Sequence, residues 1–276
     1  MAISYSLVAP KNDTIVIDRT RAADPVTYNF KLKIKNQGTS TVYYKLTESS
    51  GVWSISSPSN GELGSVGSGS SKIFDITLQR ALPTSDVVET IDLTLEAYSD
   101  SGYTNLVDSV SFSMTAILAD IHSWPSYTKY DFDDGTAQGW TLSGASIQSD
   151  KSIEASGYAV KISTDDTSPV SHTATLTKSE TLPSNDRVVF LFYFTAYIPH
   201  TSAKINYIQI KVNGDVVFDT GATLLSTSIT TWDMIGVDLS SYAGQSVTID
   251  IVVSCYVDKD NVIHIDDIII AGTDTL

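Results

Sequence analysis

The chain has 276 residues, with 17 Lys and Arg against 32 Asp and Glu and a formal net charge of −15. That length suggests two domains, each able to bury its own core, and the shortage of basic residues argues against nucleic acid as a partner and against anionic membrane surfaces. The lone Cys255, in the apolar run "TIDIVVSC", excludes a disulfide framework and a Cys-rich zinc site, and it reads as a small buried hydrophobe.

The opening "MAISYSLVAPKNDTIVID" has no basic stretch ahead of an apolar core. No run of about 18 apolar residues occurs anywhere, so neither a signal peptide nor a membrane span is expected. Period-two alternation then dominates, and almost nothing repeats at the helical period. In "VTYNFKLKIKN" it places Val26, Tyr28, Phe30, Leu32 and Ile34 on one face. "IDLTLEA" does the same with Ile91, Leu93 and Leu95, and "VSFSMTAIL" with Val110, Phe112, Met114, Ala116 and Leu118. Such strands have one buried and one wet face. "NQGTS", "SPSNGELGSVGSGSS" and "SDSGY" between them carry the residues of turns. Seven or eight strands up to Leu118 predict an immunoglobulin-like sandwich over residues 1–120, without the Cys…Trp…Cys spacing of antibody domains.

"ADIHSWPSYTK" breaks the alternation, and a second sandwich is expected over residues 126–276. "RVVFLFYFTAYI" is apolar on both faces, as a strand buried between layers would be. Asn213-Gly214, flanked by alternating apolar residues, predicts a two-residue hairpin turn with positive φ at both positions. "QSVTIDIVVSCYVD" and "NVIHIDDIIIAG" are expected to be neighbouring strands joined through "DKDN". Eight or nine strands in this half fit a jelly roll. The fold class is therefore all-β: an immunoglobulin-like β-sandwich followed by a jelly-roll β-sandwich.

Three stretches of the second half, "YDFDDGTAQGWTL", "TTWDMIGVDLSSYAGQSVTIDIVV" and "VIHIDDIIIAG", come in the order and spacing of extracellular jelly-roll modules. Residues 126–272 resemble the galactose-binding-like jelly rolls of carbohydrate-binding modules and, more loosely, MAM domains. In the first half, "GVWSISSPSNGELGSVGSGSSKIFDITLQ" is similar to BACON-type immunoglobulin-like accessory domains of bacteria and archaea. Such domains are credited with mucin or carbohydrate contact; a spacer role is the reading taken for this one.

Residues two apart share a face of a strand, so Asp131 and Asp133 are expected to project together while Phe132 enters the core. Parallel carboxylates repel unless a cation or water intervenes. Asp266 and Asp267 stand in an otherwise apolar strand and must be paired, exposed or metal-bound. The first and last strands of a jelly roll commonly adjoin, which would let the two pairs meet. Carboxylate oxygens suit Ca²⁺, and the resemblance implies the same, matching Asp131 and Asp133 to opening acids and Asp266 to the first closing one. Asp134 and Asp267 complete the candidate metal set. A solvated turn remains the alternative.

A glycosidase would also use two carboxylates, about 5 to 9.5 Å apart. These acids stand among core and turn residues rather than in a cleft, and no hydrolase, zincin or phosphate-loop motif occurs. His122, His172, His200 and His264 have no metal-ligand spacing. Sugar binding calls for exposed aromatic platforms. Tyr193 and Tyr207, in central strands, are candidates for lining one concave face, and Trp124 and Tyr127 for an exposed pair in the connecting segment; Trp140 and Trp232 are expected in the core.

The expected protein is thus a non-catalytic surface or extracellular binding module for a glycan or another cell-surface ligand, with a structural Ca²⁺. The alternative is a self-assembling structural protein of a virion, surface layer or filament.

Overall fold

The computed structural model describes residues 3–9, 13–149, 151–153, 157–163, 170–198, 204–221, 228–257 and 262–276, and the chain divides into two compact units, Met1–Ala119 and Asp120–Leu276. Both are built from strands, and among the described residues the helical segments are three single 3-10 turns. No helix among them is long and apolar enough to cross a membrane.

The first unit contains β1 (Ile3–Ala9), β2 (Thr14–Asp18), β3 (Val26–Asn36), β4 (Val42–Glu48), β5 (Ser54–Ser57), β6 (Glu62–Val66), β7 (Ser71–Arg80), β8 (Val87–Tyr98) and β9 (Leu106–Ala119). They form two sheets, ordered β1-β3-β7-β5 and β2-β9-β8-β4-β6. The alternation read from the sequence is the reason: Phe30, Leu32 and Ile34 in one sheet and Ile91, Leu93 and Leu95 in the other are buried, while the residues between them face outward. Tyr5 of β1 stacks on Phe112 of β9 with ring centroids 4.7 Å apart, tying one sheet to the other.

The second unit contains β10 (Ser126–Tyr130), β11 (Thr141–Ser143), β12 (Ser146–Gln148), β13 (Ala159–Ser163), β14 (Val170–Thr181), β15 (Arg187–Tyr197), β16 (Lys204–Val212), β17 (Asp215–Asp219), β18 (Ile229–Asp238), β19 (Ser246–Val257) and β20 (Val262–Thr273). A six-stranded sheet runs β12-β13-β20-β15-β18, with β10 also on β20, and a five-stranded sheet runs β11-β14-β19-β16-β17. One apolar core joins them, drawing Phe190, Phe192, Ile265 and Ile268 from the first and Leu176, Ile208, Ile249 and Ile251 from the second.

Asn213 and Gly214 make the expected hairpin turn between β16 and β17, with φ of 53° and 89°. The expected pairing of the last two strands does not occur. β19 pairs with β14 and β16, whereas β20 belongs to the opposite sheet and pairs with β10, β13 and β15. Apolar sequence marks a strand as central but does not name its neighbour. The linking residues 258–261 lie outside the described residues.

Candidate functional site

The opening and closing strands of the second unit do adjoin: β10 runs antiparallel to β20, from Ser126 opposite Gly272 to Tyr130 opposite Ile268. The same edge of β20 is taken by β13 only up to Ile265. Asp266 and Asp267 therefore sit where one neighbour ends and the other begins. On the far edge, the partners of β15 step from Leu191 opposite Ile269 to Tyr193 opposite Asp266, so one extra residue of β20 is accommodated as a bulge. Asp267 takes the strain with φ 47°, in the left-handed region.

The bulge keeps both carboxylates inside: Asp266 is 1% and Asp267 0% exposed. Each is held. Asp266 Oδ2 accepts the N–H of Ile153 at 2.9 Å and Oδ1 the N–H of Asp267 at 2.8 Å. Lys129 Nζ of β10 lies 2.8 Å from Asp267 Oδ1 as an ion pair. Burial, reinforced by the neighbouring negative charges of Asp267 and Asp133, pushes the Asp266 carboxyl up to about 7 against the relief of its two backbone hydrogen bonds.

Asp131 and Asp133 do not lie in a strand as expected. β10 ends at Tyr130, and Phe132 turns the chain with φ 57° while its ring enters the core. The fully buried ring is satisfied by the turn, so strand parity does not apply to its neighbours. Asp131 Oδ1 accepts from Gln138 Nε2 at 3.0 Å and from the Asp133 N–H at 3.3 Å, within the turn itself. Asp134 Oδ1 takes the N–H and hydroxyl of Thr136, both at 2.8 Å, and these bonds hold its carboxyl below the ordinary range. Asp133 alone reaches toward the buried pair, its Oδ1 accepting the Tyr158 N–H at 3.3 Å. A Cβ at Gly157 would overlap that oxygen, so this approach requires glycine.

The structure thus sets Asp133 within electrostatic reach of Asp266, beside Asp267, and leaves Asp131 and Asp134 in their own turn. The donors are all hard oxygens, and no described cation pairs with Asp133 or Asp266, a chemistry that fits Ca²⁺. Among the described residues, no three His, Cys, Asp or Glu side chains gather around one metal-sized point.

The aromatic candidates separate. Tyr193 is buried in β15, opposite Asp266 and Met234 in the six-stranded sheet, whereas Tyr207 is half-buried on β16 of the five-stranded sheet beside Ser254. They cannot line one face. Trp124 is buried, and Tyr127 is half-buried with its hydroxyl 2.8 Å from His122 Nδ1, so the pair is not an exposed platform. Trp140 is in the core, edge-on to Tyr130 at 5.8 Å. Trp232 is only half-buried, with Lys151 Nζ 5.9 Å from its ring centre. His200 lies outside the described residues.

A second surface emerges from the sheet register. On β14, Thr173, Thr175, Thr177, Ser179 and Thr181 alternate with residues directed inward, and they face Ser254, Val252, Asp250, Thr248 and Ser246 of β19 in order. Across β19 the same face continues as Tyr207, Gln209 and Lys211 of β16. β11 adds Thr141 and Ser143. Thr177 Oγ1 donates to Asp250 Oδ1 at 2.7 Å, and Gln209 Nε2 to Asp219 Oδ2 at 3.0 Å, which fixes these acceptors in place. At one end, a cavity of about 390 Å³ is lined by Ser179, Thr181, Asn213, Ser246 and Thr248 among others. The alternation in "SHTATLTKSET" is visible in the sequence, but a face made of hydroxyls carries neither the rings nor the clustered carboxylates that mark a site in sequence.

No protein-family model and no curated protein matches the chain. Solved structures do. The chain is similar to the K1 cleaved adhesin domain of Lys-gingipain from Porphyromonas gingivalis W83, at 14% identity and TM-score 0.40, covering 54% of this chain and 99% of that one. It is also similar to the CBM22-1 xylan-binding domain of Xyn10C from Paenibacillus barcinonensis, at 17% identity and TM-score 0.36, covering 54% and 95% respectively. A family 35 carbohydrate-binding module from Clostridium thermocellum matches at 16% identity and TM-score 0.34, covering 54% and 99%.

Proposed function

We propose that this chain is a non-catalytic binding protein displayed outside the cell or on a particle surface, with an immunoglobulin-like spacer as its first unit. The second unit recognises a glycan across the polar side of its five-stranded sheet, and its acid clasp holds a structural Ca²⁺. The observation that supports the glycan reading is the two-sidedness of β14, β19 and β16: one side feeds the core, and the other presents ranked hydroxyls, a carboxylate, an amide and one tyrosine ring. Sugar hydroxyls need many donors and acceptors at fixed spacing, and the CH face of a pyranose needs a small apolar contact. Tyr207 beside the Val252 row meets the second need.

In the clasp, Asp133 and Asp266 would hold the ion, with backbone carbonyls and water completing its shell. Bound Ca²⁺ would neutralise a buried negative charge and lock the opening turn onto the closing strand. Asp131 and Asp134 serve their turn, and Asp267 serves Lys129.

Retention of the full chain on a glycan array, followed by affinity electrophoresis, tests the first part. Tyr207→Ala should lower affinity about tenfold or more, equivalent to about 1.4 kcal/mol; no retained glycan, or retention indifferent to this change, sinks it. For Ca²⁺, the melting temperature should fall on chelation, since a ligand of the native state at about 100 times its Kd adds about 2.7 kcal/mol. Asp266→Asn should abolish that fall. A chelator-insensitive transition with no metal by elemental analysis removes calcium and leaves the glycan reading standing.

A further inference from the structure

The first unit carries a cationic line that the reading above does not use. Lys31, Lys33 and Lys35 of β3 alternate with buried Phe30, Leu32 and Ile34, so all three point to the outer side of the four-stranded sheet. Lys33 and Lys35 are exposed. Lys31 is ion-paired with Asp75 of β7, but across the strands Lys33 faces Ser6 and Ile73, and Lys35 faces Ser4 and Ser71. Neither has an ion pair with a described residue.

In a chain with 32 acids and 17 bases, three bases on one strand face against the single acid Asp75 constitute a local reversal of sign. β3 lies between β1 and β7 and has no free edge, so these lysines are not guarding one against aggregation. Strand geometry sets them about 6.5 to 7 Å apart in a straight line about 13 Å long. The neighbours are hydroxyls, with Ile73 the one exposed apolar side chain in these rows. A lipid surface calls for about four to eight clustered bases or an apolar wedge. A linear polymer with regularly spaced carboxylates and many hydroxyls matches both the charges and their surroundings.

We propose that the lysine-bearing face of β3 is a second binding site, for an acidic polysaccharide. It is independent of the glycan face of the second unit, and either can fail alone.

The probe is polygalacturonate, with its fully methyl-esterified form as the uncharged control, applied to the full chain at low salt. Polygalacturonate should bind and the ester should not. Log affinity should fall against log salt with a slope of about 1.4 to 1.8, as expected for the two unpaired lysines on a linear polyanion. Lys33→Glu should weaken binding about tenfold and the double change with Lys35→Glu should abolish it, with unchanged melting temperatures. Lys45→Glu, an equal charge change in the other sheet, should have little effect. Equal binding of the ester, equal loss in Lys33→Glu and Lys45→Glu, tighter binding of a single-stranded oligonucleotide than of polygalacturonate, or no binding at all would each overturn the proposal.

Discussion

The two sheets of the second unit share one core yet treat their outer sides oppositely. In the five-stranded sheet, the outer side is made of threonines, serines and a few charged groups, most of them exposed or half-buried. In the six-stranded sheet, β15 and β20 are buried on both sides: Val189, Leu191, Ile269 and Ala271 alternate with core residues and are themselves inaccessible. Along that second side lie Asp266, Asp267, Tyr193, Thr195 and His264, all buried. The lesson is that polar residues in a strand mean different things according to cover. On an open side they are available to a ligand; on a covered side each must find a partner within the protein.

The strongest way to break this comparison is to leave a buried charge alone. Lys129→Met removes the ammonium ion-paired with fully buried Asp267 and should cost about 3 to 5 kcal/mol in urea denaturation. Lys211→Met on the open sheet, opposite Asp250, should cost no more than about 1 kcal/mol. Similar costs for the two would mean that the covered side is wetter than its burial indicates.

Apolar truncation gives the next effect. Leu191→Ala, on the outer side of β15, should cost about 2 to 5 kcal/mol, as for a core leucine. Thr175→Ala, on the outer side of β14, should stay within about 0.5 kcal/mol. A Leu191 change as mild as the Thr175 change would show that the second side of β15 is not packed.

The smallest effect is chemical. Cys255 lies on the core side of β19, and burial pushes its thiol up to about 11. The thiolate is the reactive form, so the native protein at pH 8 should resist alkylation that proceeds readily in denaturant. Rapid labelling of the native protein would show that the five-stranded sheet opens on its inner side as well.

Much of the architecture was legible in the chain itself. Alternation located the strands around Phe30, Ile91 and Met114, and Asn213-Gly214 announced its hairpin, because both signals are local. The acid clasp was half legible. The proximity of "DFDD" to "HIDD" followed from adjoining first and last strands, but which acids meet did not, since Phe132 adopts a positive φ and breaks the parity on which Asp131 and Asp133 were paired. Tyr193 and Tyr207 both lie in segments whose pattern marks central strands, and nothing local separates them into different sheets. The lysine line of β3 is present as "KLKIK", but its alternation with apolar residues marks only the wet side of a strand.

What the sequence by itself determined was the all-β class, the long strands with their inward residues and the excess of acid, all properties of neighbours along the chain. Tertiary structure alone decided which strands pair, which outer sides are covered and which carboxylates meet. Pairing and burial depend on residues more than a hundred positions apart, such as Ile153 and Asp266. A period-two pattern states that a side chain alternates; only packing states what it meets.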